Sequence, residues 1–356
     1  MTISAKIICD SISPLGVRLT TFQLRYPRFI HAEELTHRIL DTQPEVLFYE
    51  AIPDGLMYDQ NLSRNASSSR AIPVKRLIQD LRRDPAMPVY WGRNKPGMQA
   101  GEDHNALVSV PTASGGIWDR TREQAWLDLM EVAIKYAEAF DDSDYHKQIV
   151  NRMLEPWAHI NVVVTAVQWG NFFTLRSHSD AQPEIKLLSD KMQLAMHSSK
   201  PSLIENGQWH LPYVLGSDWE ALRIFAKKNR ITRDEPQYRE LAKLALMVSV
   251  ARCARVSYKT HDGRETSVEE DMELAHKLVV ATPLHASPAE HQATPDEYRI
   301  KDAMMSRAVR RESIDEKEAF NADFQWEPNW ENPNLHGNLK GWKQHRKMLP
   351  NEFIKG

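Results

Sequence analysis

The chain has 356 residues, a formal net charge of -3 and two cysteines, with 42% hydrophobic and 26% charged residues. These values are typical of a soluble globular protein, and they exclude a global electrostatic attraction to nucleic acid or to anionic membranes. Two cysteines are too few for a disulfide framework or a cysteine-ligated zinc site. Because the first ten residues lack a signal-peptide core and no run of about 18 apolar residues exists, we expect a cytoplasmic protein without a membrane span.

Hydrophobic periodicity predicts strands and helices in mixed order. The predicted strands are rich in β-branched residues and cover Ile3–Cys9, Val17–Leu24 and Ile160–Val167. The predicted helices have apolar residues at a 3.6-residue period and cover Phe29–Ile39, Val74–Arg83, a segment opened at Thr121, Tyr145–Glu155, a segment ending near His197, Ser217–Lys228, Pro236–Ala254, Ser267–Val280 and Tyr298–Arg311. Pro27 is expected to end the second strand or to lie at a sheet edge.

Three capping boxes mark the starts of predicted helices. They are Thr121–Gln124, Ser217–Glu220 and Ser267–Glu270. The helix after Thr121 carries an apolar stripe that we expect to lie in the core, formed by Trp126, Leu129, Met130, Ala133 and Ala137.

The segment Asn61–Pro73 is the clearest candidate for a binding loop. Three consecutive serines, two asparagines and two arginines occur between Asn61 and Arg70. Hydroxyl groups and successive backbone N–H groups in a turn can hold an anion, and a guanidinium fits phosphate oxygens. A solvated surface loop is the alternative.

A second loop, Met87–Gly101, combines the aromatic residues Tyr90 and Trp91 with the cations Arg93 and Lys95. It could bind an anionic, partly aromatic ligand. It could equally be a loop that covers the surface, because only some connecting loops carry function.

Several spaced motifs are shared with one enzyme family. They are Phe22-x-x-x-x-Pro27, His37-Arg38, Ser63-x-Asn65-x-x-Ser68-x-Arg70, Arg152-x-x-x-Pro156, Asn171–Arg176 and Ala181–Ile185. Together they resemble the signature of the flavin-dependent thymidylate synthases, and the last two match in both spacing and residue type. The family's fold is a small, mainly antiparallel sheet with packed helices, an α/β fold of the α+β type, and we expect the same here.

The order of the motifs resembles a circular permutation of that family's domain. Ala254–Tyr258 and Ser287–His291 are similar to segments with which the family's domain begins, yet they follow the other motifs here. Permutation is tolerated where the cuts lie at surface sites. The organisation expected is 1–204 for the main part of the catalytic domain with an insertion at 40–62, a second insertion at 205–235, the permuted part at 236–292, and an appended tail at 293–356.

The resemblance implies reductive methylation at C5 of a pyrimidine deoxynucleotide, dUMP to dTMP. Methylenetetrahydrofolate would supply the carbon, and FAD reduced by NADPH would supply the hydride. The protein would mainly position and polarise the nucleotide and the cofactors. The family forms homotetramers with sites between subunits, and similar assembly is expected here. No metal site is implied.

The resemblance also assigns roles to individual residues. Substrate contacts would come from Glu33, Ser68, Ser69, Arg70, Arg152 and Arg176, with Ser68, Arg152 and Arg176 closest to the chemistry. Cofactor contacts would come from Thr36, His37, Arg38, Ser63, Asn65, Asn171, Ser257 and His291. A phosphate dianion needs several donors and a cation, and a guanidinium beside the base would stabilise negative charge that develops on the ring. Surface salt bridges for Arg152 and Arg176, and a structural role for His37, are the alternatives.

Three further hypotheses remain open at this stage. Glu33 can accept but not donate hydrogen bonds, so a cytosine nucleotide such as dCMP, or a hydroxymethylation, is a possible variant of the reaction. Ala66 replaces a glutamate of the family, which is compatible with a flavin- or nucleotide-binding protein that has lost catalysis. The basic-aromatic segment Trp342–Lys347 could bind nucleic acid, although such segments are usually solvated and the net charge disfavours it.

Overall fold

The structure is a computed structural model, and it describes residues 3–35, 62–112, 114–231, 237–256, 264–280, 285–297, 330–350 and 352. The strands are β1 (Ser4–Ile12), β2 (Arg18–Pro27), β3 (Leu62–Ala66), β4 (Val108–Pro111), β5 (Ile117–Arg120), β6 (His159–Ala166), β7 (Ser202–Leu203), β8 (Ala293–Pro295) and β9 (Trp342–Gln344). The helices are α1 (His31–Leu35), α2 (Val74–Arg83), α3 (Arg122–Asp142), α4 (Lys147–Val150), α5 (Gly170–Arg176), α6 (Pro183–Ser198), α7 (Asp218–Lys228), α8 (Tyr238–Ala254) and α9 (Val268–Val280).

A central sheet organises the described part of the chain. Its strand order is β3-β6-β2-β1-β7, and every pairing is antiparallel except β1 with β7. The β-branched run predicted at Ile160–Val167 is the second strand of this order, β6, which pairs on both sides. The prediction of an α+β protein with a small, mainly antiparallel sheet is confirmed, and so is the end of β2 at Pro27.

One face of the central sheet is apolar and carries the main core. Alternate residues of β6, namely Ile160, Val162 and Val164, are at most 2% exposed and pack against α5 and α6. Because successive side chains of a strand point to opposite faces, the other face carries Asn161, Val163 and Thr165. That second face is unusually polar, and we call it the polar face.

Helical layers cover part of the polar face and extend the domain. Val163 packs with Cys253 at the end of α8 and with Tyr213, so that α8 lies over this part of the sheet. Helices α7 and α9 pack on α8. A separate cluster joins α2, α3 and a 3-10 helix at Asn151–Trp157.

The described part of the C-terminal tail packs against the domain. Strand β9 pairs antiparallel with β8, and Trp342 is fully buried. Trp330 and Leu339 are buried as well. The basic-aromatic segment proposed as a nucleic-acid contact therefore begins with a core residue. The predicted helix Tyr298–Arg311 lies outside the described residues.

The start signals of the helices were only partly predictive. Thr121 accepts from the Gln124 backbone as one half of a capping box, and Ser267 forms the same reciprocal pair with Glu270. Ser217 makes no such bond, because its own backbone is helical, with φ -65° and ψ -26°.

Two other predictions about the helices need correction. The segment predicted as one helix over Tyr145–Glu155 is the short α4 followed by the 3-10 helix, which contains Pro156. Leu129 of the predicted core stripe is 57% exposed. Among the described residues, no helix is long and apolar enough to span a bilayer.

Candidate active-site cleft

The uncovered end of the polar face forms the floor of a cleft of about 650 Å³. Its side walls are α2 and the residues where α8 ends. The lining residues are Arg25, Ala66, Ser67, Ser68, Ala71, Ile72, Arg76, Leu77, Asp80, Leu81, Arg83, Asp84, Ala158, His159, Asn161, Ala254, Arg255 and Val256. Four arginines and two aspartates give this cleft a positive excess within a chain of negative net charge, as binding of an anion requires.

The floor is a row of polar residues across three strands. Asn161 of β6 lies opposite Arg25 of β2. On its other side, the Asn161 carbonyl accepts from the Ser67 backbone at 2.8 Å, and its backbone N–H donates to Ser67 Oγ at 3.0 Å. The bonds to Ser67 extend the pairing of β3 with β6 by one residue. They fix where the segment Ser67–Pro73, which we call the serine loop, leaves the sheet.

The serine loop places its side chains in different directions. Ser68 is in an extended conformation and lines the cleft. The exposed Arg70 lies beside it, with Nε 3.4 Å from Ser68 Oγ. The hydroxyl of the buried Ser69 instead donates to Glu155 at 2.6 Å. Ser68 and Arg70 thus lie side by side, and their contact with a phosphate stays a prediction. The Ser69 hydroxyl is instead directed away from the cleft.

Arg152 lies behind the serine loop. Its guanidinium donates to Glu155 at 3.0 Å, three residues along the chain. Glu155 also pairs with Arg28 at 3.1 Å. Arg152 does not line the cleft, and this arrangement is the salt bridge considered as the alternative to a catalytic role, although half of the side chain is exposed.

Arg176 and Asn171 lie on the other side of the sheet. Both belong to α5, which packs its Phe172 into the core on the apolar face. Neither residue lines the cleft. A single chain therefore does not bring Arg176 to Ser68.

Four of the predicted cofactor residues lie outside the described residues: Thr36, His37, Arg38 and Ser257. The Glu33 side chain is likewise outside the description. Its neighbour Glu34 is buried and pairs with Arg64 at 2.8 Å. Sequence reasoning missed this pair, although alternation along β3 predicts that Arg64 points away from Ser63 and Asn65.

Ser63 and His291 lie in the covered part of the polar face. Ser63 is fully buried, its hydroxyl lies 2.9 Å from the Glu290 carbonyl oxygen, and Gln344 of the tail donates to it at 3.2 Å. Its side-chain contacts are therefore made within the chain. Asn65, two residues further along β3, shares this face and is half-buried.

A continuous chain of hydrogen bonds crosses the covered part of the polar face. It runs from Ser11 through His210, Thr21 and Thr165 to His291, with contacts of 2.7–2.8 Å. Burial lowers the pKa of both histidines to about 3, so that each is neutral near pH 7. His291 is 0% exposed, and its Nε2 is buried without a hydrogen-bond partner among the described residues. Its role at a cofactor stays a prediction.

The wall formed by the end of α8 is held by buried charges. Arg255 of the cleft contacts Asp271, and Asp271 accepts from Arg252 at 2.7 Å. Arg252 also donates to Asp218 at 2.6 Å. Two arginines and two aspartates make this network neutral overall. The contact with the buried Asp271 holds the Arg255 side chain at the cleft.

The backbone is strained at the same wall. Val256 has φ +62°, which is rare for a β-branched residue and occurs mostly where the surrounding structure enforces it. Tyr213, itself at φ +66°, donates a hydrogen bond from its hydroxyl to the Val256 carbonyl oxygen. No sequence signal pointed to Tyr213, because it lies in a segment that we treated as an insertion.

The loop Met87–Gly101 forms a different surface. Trp91 packs edge-on against Trp126 of α3, and the two line a groove of about 500 Å³ with Leu129 and Val108. The Tyr90 hydroxyl donates to the Gly101 carbonyl oxygen at 2.7 Å. This groove shares no lining residue with the cleft.

The described residues fit a nucleotide phosphate better than they fit a flavin. Ser68, Arg70 and the positive cleft provide donors and charge, whereas the Ser63 hydroxyl and His291 Nδ1 are engaged in internal hydrogen bonds. Within the described part of the chain no group of three or more potential metal ligands exists.

No protein-family model matches the sequence, and the comparison with curated proteins found no match. Among solved structures, the chain is similar to two crystal structures of a UMP/dUMP methylase, PolB from Streptomyces cacaoi, one bound with 5-Br UMP and one with 5-Br dUMP. In both comparisons the identity is 16%, the TM-score is 0.34, and the match covers 55% of this chain and 88% or 90% of the other. Similarity at this level assigns no function to the chain.

Proposed function

We propose that the cleft binds a pyrimidine deoxynucleotide, and that the protein is a thymidylate synthase-like enzyme that methylates C5 of dUMP. One observation carries this proposal. Ser67 and Ser68 of the serine loop line the same cleft as Arg255 and Val256, which belong to a motif that is remote in the sequence. Both motifs resemble the same enzyme family, and a permuted domain of that family requires them to meet.

The phosphate end of the ligand would lie at the serine loop. The Ser68 hydroxyl and the Arg70 guanidinium supply a hydrogen-bond donor and a charge-assisted donor. Arg76 and Arg83 share one carboxylate partner, Asp80, and the positive charge that this leaves along the cleft attracts the dianion. Ser67, bonded to Asn161 through both its backbone and its hydroxyl, holds the loop in place.

Methylenetetrahydrofolate, FAD and NADPH belong to the proposal as co-substrates and cofactor, supplying the carbon and the hydride. We assign a flavin contact to Asn65, which lies opposite Val163 on the polar face. Because α5 packs on the opposite face of the sheet, Arg176 would have to come from a second copy of the chain. The proposal therefore includes a homo-oligomer, a homotetramer as in the family, with Arg152 or Arg176 of one subunit completing the site of another.

The direct test combines a spectrum with an isotope assay. A purified protein that shows the visible absorption of a flavin, and releases tritium from [5-³H]dUMP in the presence of methylenetetrahydrofolate and NADPH, would support the proposal. The Arg70→Ala variant should lose most of the release at low dUMP. The matched Arg82→Ala variant should not, because Arg82 pairs with Glu131 of α3 and does not line the cleft. Running dCMP in parallel tests the cytosine hypothesis that Glu33 raised.

A second candidate function is nucleotide binding without flavin chemistry. The observation in its favour is that Ser63 and His291, both expected at the flavin, are buried in internal hydrogen bonds. It predicts a colourless protein that binds dUMP and releases no tritium under the same conditions. Flavin absorption together with tritium release would exclude it.

A further inference from the structure

Asn161 occupies the centre of the cleft floor. Its neighbours across the strands are Ser67 on β3's continuation and Arg25 on β2, each about 5 Å away as cross-strand partners are. The adjacent β6 residues Ile160 and Val162 are buried in the core on the apolar face. Alternation along the strand therefore directs the Asn161 side chain into the cleft, which it lines.

The polar groups on either side of Asn161 are already engaged. Arg25 pairs with Asp84 at 2.8 Å and contacts His159 Nδ1 at 3.0 Å. Ser67 Oγ accepts the backbone N–H of Asn161. Within the described part of the chain, the Asn161 amide makes no side-chain hydrogen bond, so its oxygen and its two N–H groups face the cleft.

An amide at this place suits the edge of a heterocyclic base. A carboxamide presents an acceptor beside a donor in one plane, and nucleobase edges present the complementary pair. Asn161 lies one strand spacing, about 5 Å, from the start of the serine loop. A ribose bridges a comparable distance between its 5′-phosphate and N1 of the base. Because N3 lies across the ring from N1, the phosphate would lie beyond Ser67, at Ser68 and Arg70.

We propose that Asn161 reads the pyrimidine base, accepting from N3–H and donating to the adjacent carbonyl oxygen of uracil, while the serine loop holds the phosphate. This inference rests on the proposed function, because it requires a nucleotide in the cleft. It adds a base-contacting residue that none of the sequence motifs contains.

The test measures binding of three probes to the full-length protein by calorimetry: dUMP, dCMP and 2-deoxyribose 5-phosphate. Asn161→Leu keeps the size of the side chain but removes its hydrogen bonds. We expect its affinity for dUMP to fall about tenfold, as for one or two lost hydrogen bonds, and its affinity for 2-deoxyribose 5-phosphate to stay within about twofold. Asn105→Leu, at an exposed position, is the matched control and should bind as the wild type does.

Asn161→Asp gives a second, independent readout. A carboxylate accepts from the exocyclic amine of cytosine but cannot donate to a carbonyl oxygen. It likewise accepts from N3–H of uracil but cannot donate to N3 of cytosine. The affinities for dUMP and dCMP should therefore both fall relative to the affinity for 2-deoxyribose 5-phosphate. These ratios are insensitive to a partial loss of folded protein, because all three ligands are measured on the same sample.

The outcomes separate the inference from the proposed function. Wild-type binding of dUMP with unchanged affinity in Asn161→Leu, or an equal loss for dUMP and 2-deoxyribose 5-phosphate, overturns the role of Asn161 alone. An unchanged ratio of dUMP affinity to 2-deoxyribose 5-phosphate affinity in Asn161→Asp does the same. A wild-type protein that binds none of the three probes overturns the nucleotide cleft, and the inference with it.

Discussion

The two ends of the polar face carry similar residues to different effect. At the covered end, Ser63, Thr165 and His291 are 0% exposed and hydrogen-bonded within the chain. At the open end, Ser67 and Asn161 lie in the same alternation on the same strands yet line a cleft. The difference is that α8 covers the sheet as far as Val163 and then ends. The segment that packs on a polar strand residue decides whether its side chain is buried in internal hydrogen bonds or is accessible to a ligand.

The largest effect on stability is expected at the buried ion pairs that hold the end of α8, the helix that covers the polar face. Asp271→Asn removes a buried carboxylate from between Arg252 and Arg255. It should lower the free energy of unfolding by about 3–5 kcal/mol, because uncompensated buried charge is costly. Urea unfolding measures this loss. Glu131→Gln, which breaks an exposed pair with Arg82, should cost less than about 1 kcal/mol, and equal losses in the two variants would contradict the role of the network.

The covered end should respond to pH. Because burial lowers the pKa of His210 and His291 to about 3, below the ordinary value of about 6.5, the unfolded state binds more protons than the folded state between these values. Stability should therefore fall as the pH drops from 7 to 5, by roughly 1–2 kcal/mol per histidine.

Urea unfolding at pH 7, 6 and 5 tests this pH dependence. His178→Gln, which alters an exposed histidine, should keep the slope of the wild type. Stability that is flat between pH 7 and 5 would show that the two histidines are not buried as neutral groups.

Replacing one hydroxyl by a methyl group at the covered end of the polar face should affect stability and leave ligand binding at the open end unchanged. Thr165→Val keeps the shape of the side chain but removes the hydroxyl that links Thr21 to His291. Thr21 keeps its contact with His210, whereas His291 Nδ1 loses the partner that Thr165 provides. We expect a loss of about 1–3 kcal/mol in unfolding free energy and unchanged affinity for dUMP. Thr174→Val, on the exposed side of α5, should change stability by less than about 0.5 kcal/mol. A stability of Thr165→Val equal to that of the wild type would contradict the hydrogen-bond chain.

At the open end of the polar face we expect weaker binding of dUMP with unchanged stability. Arg70→Ala should weaken dUMP about tenfold, which corresponds to about 1.4 kcal/mol, because a charge-assisted contact to phosphate is lost. Its unfolding free energy should match that of the wild type, since Arg70 is exposed. Unchanged dUMP affinity would remove the serine loop from the phosphate site.

The sequence predicted some elements well because their signals are local. Helix α2 has the predicted bounds, Val74–Arg83, since it begins after Pro73 and stops before Asp84-Pro85. The capping boxes at Thr121 and Ser267 formed from residues three apart. Ser217 failed as a cap because the chain there is already helical, and Leu129 failed as a core residue because it lines an open groove.

The proximity of site residues was predictable only for residues that belong to the same short sequence motif. Ser68 and Arg70 share one loop, so that their neighbourhood follows from the sequence. Asn161, Arg25 and Val256 reach the cleft through strand pairing and the end of a helix. No local pattern encodes such proximity, and the spacing of Arg152 and Arg176 likewise did not reveal that they lie behind the loop and on the other face of the sheet.

The sequence by itself determined the serine-rich turn after β3, the alternation within the strands and the helix starts at Thr121 and Ser267, because these depend on neighbours a few residues apart. It did not show that the first half of the segment Asn61–Pro73, expected to be a loop, is the strand β3. Only the tertiary structure decided which polar groups stay open. The covering of Ser63 by the tail and of His291 by the surrounding core, and the exposure of Asn161 beyond the end of α8, depend on segments remote in the chain. Burial is a property of what packs on a residue, and the residue's own sequence context does not specify it.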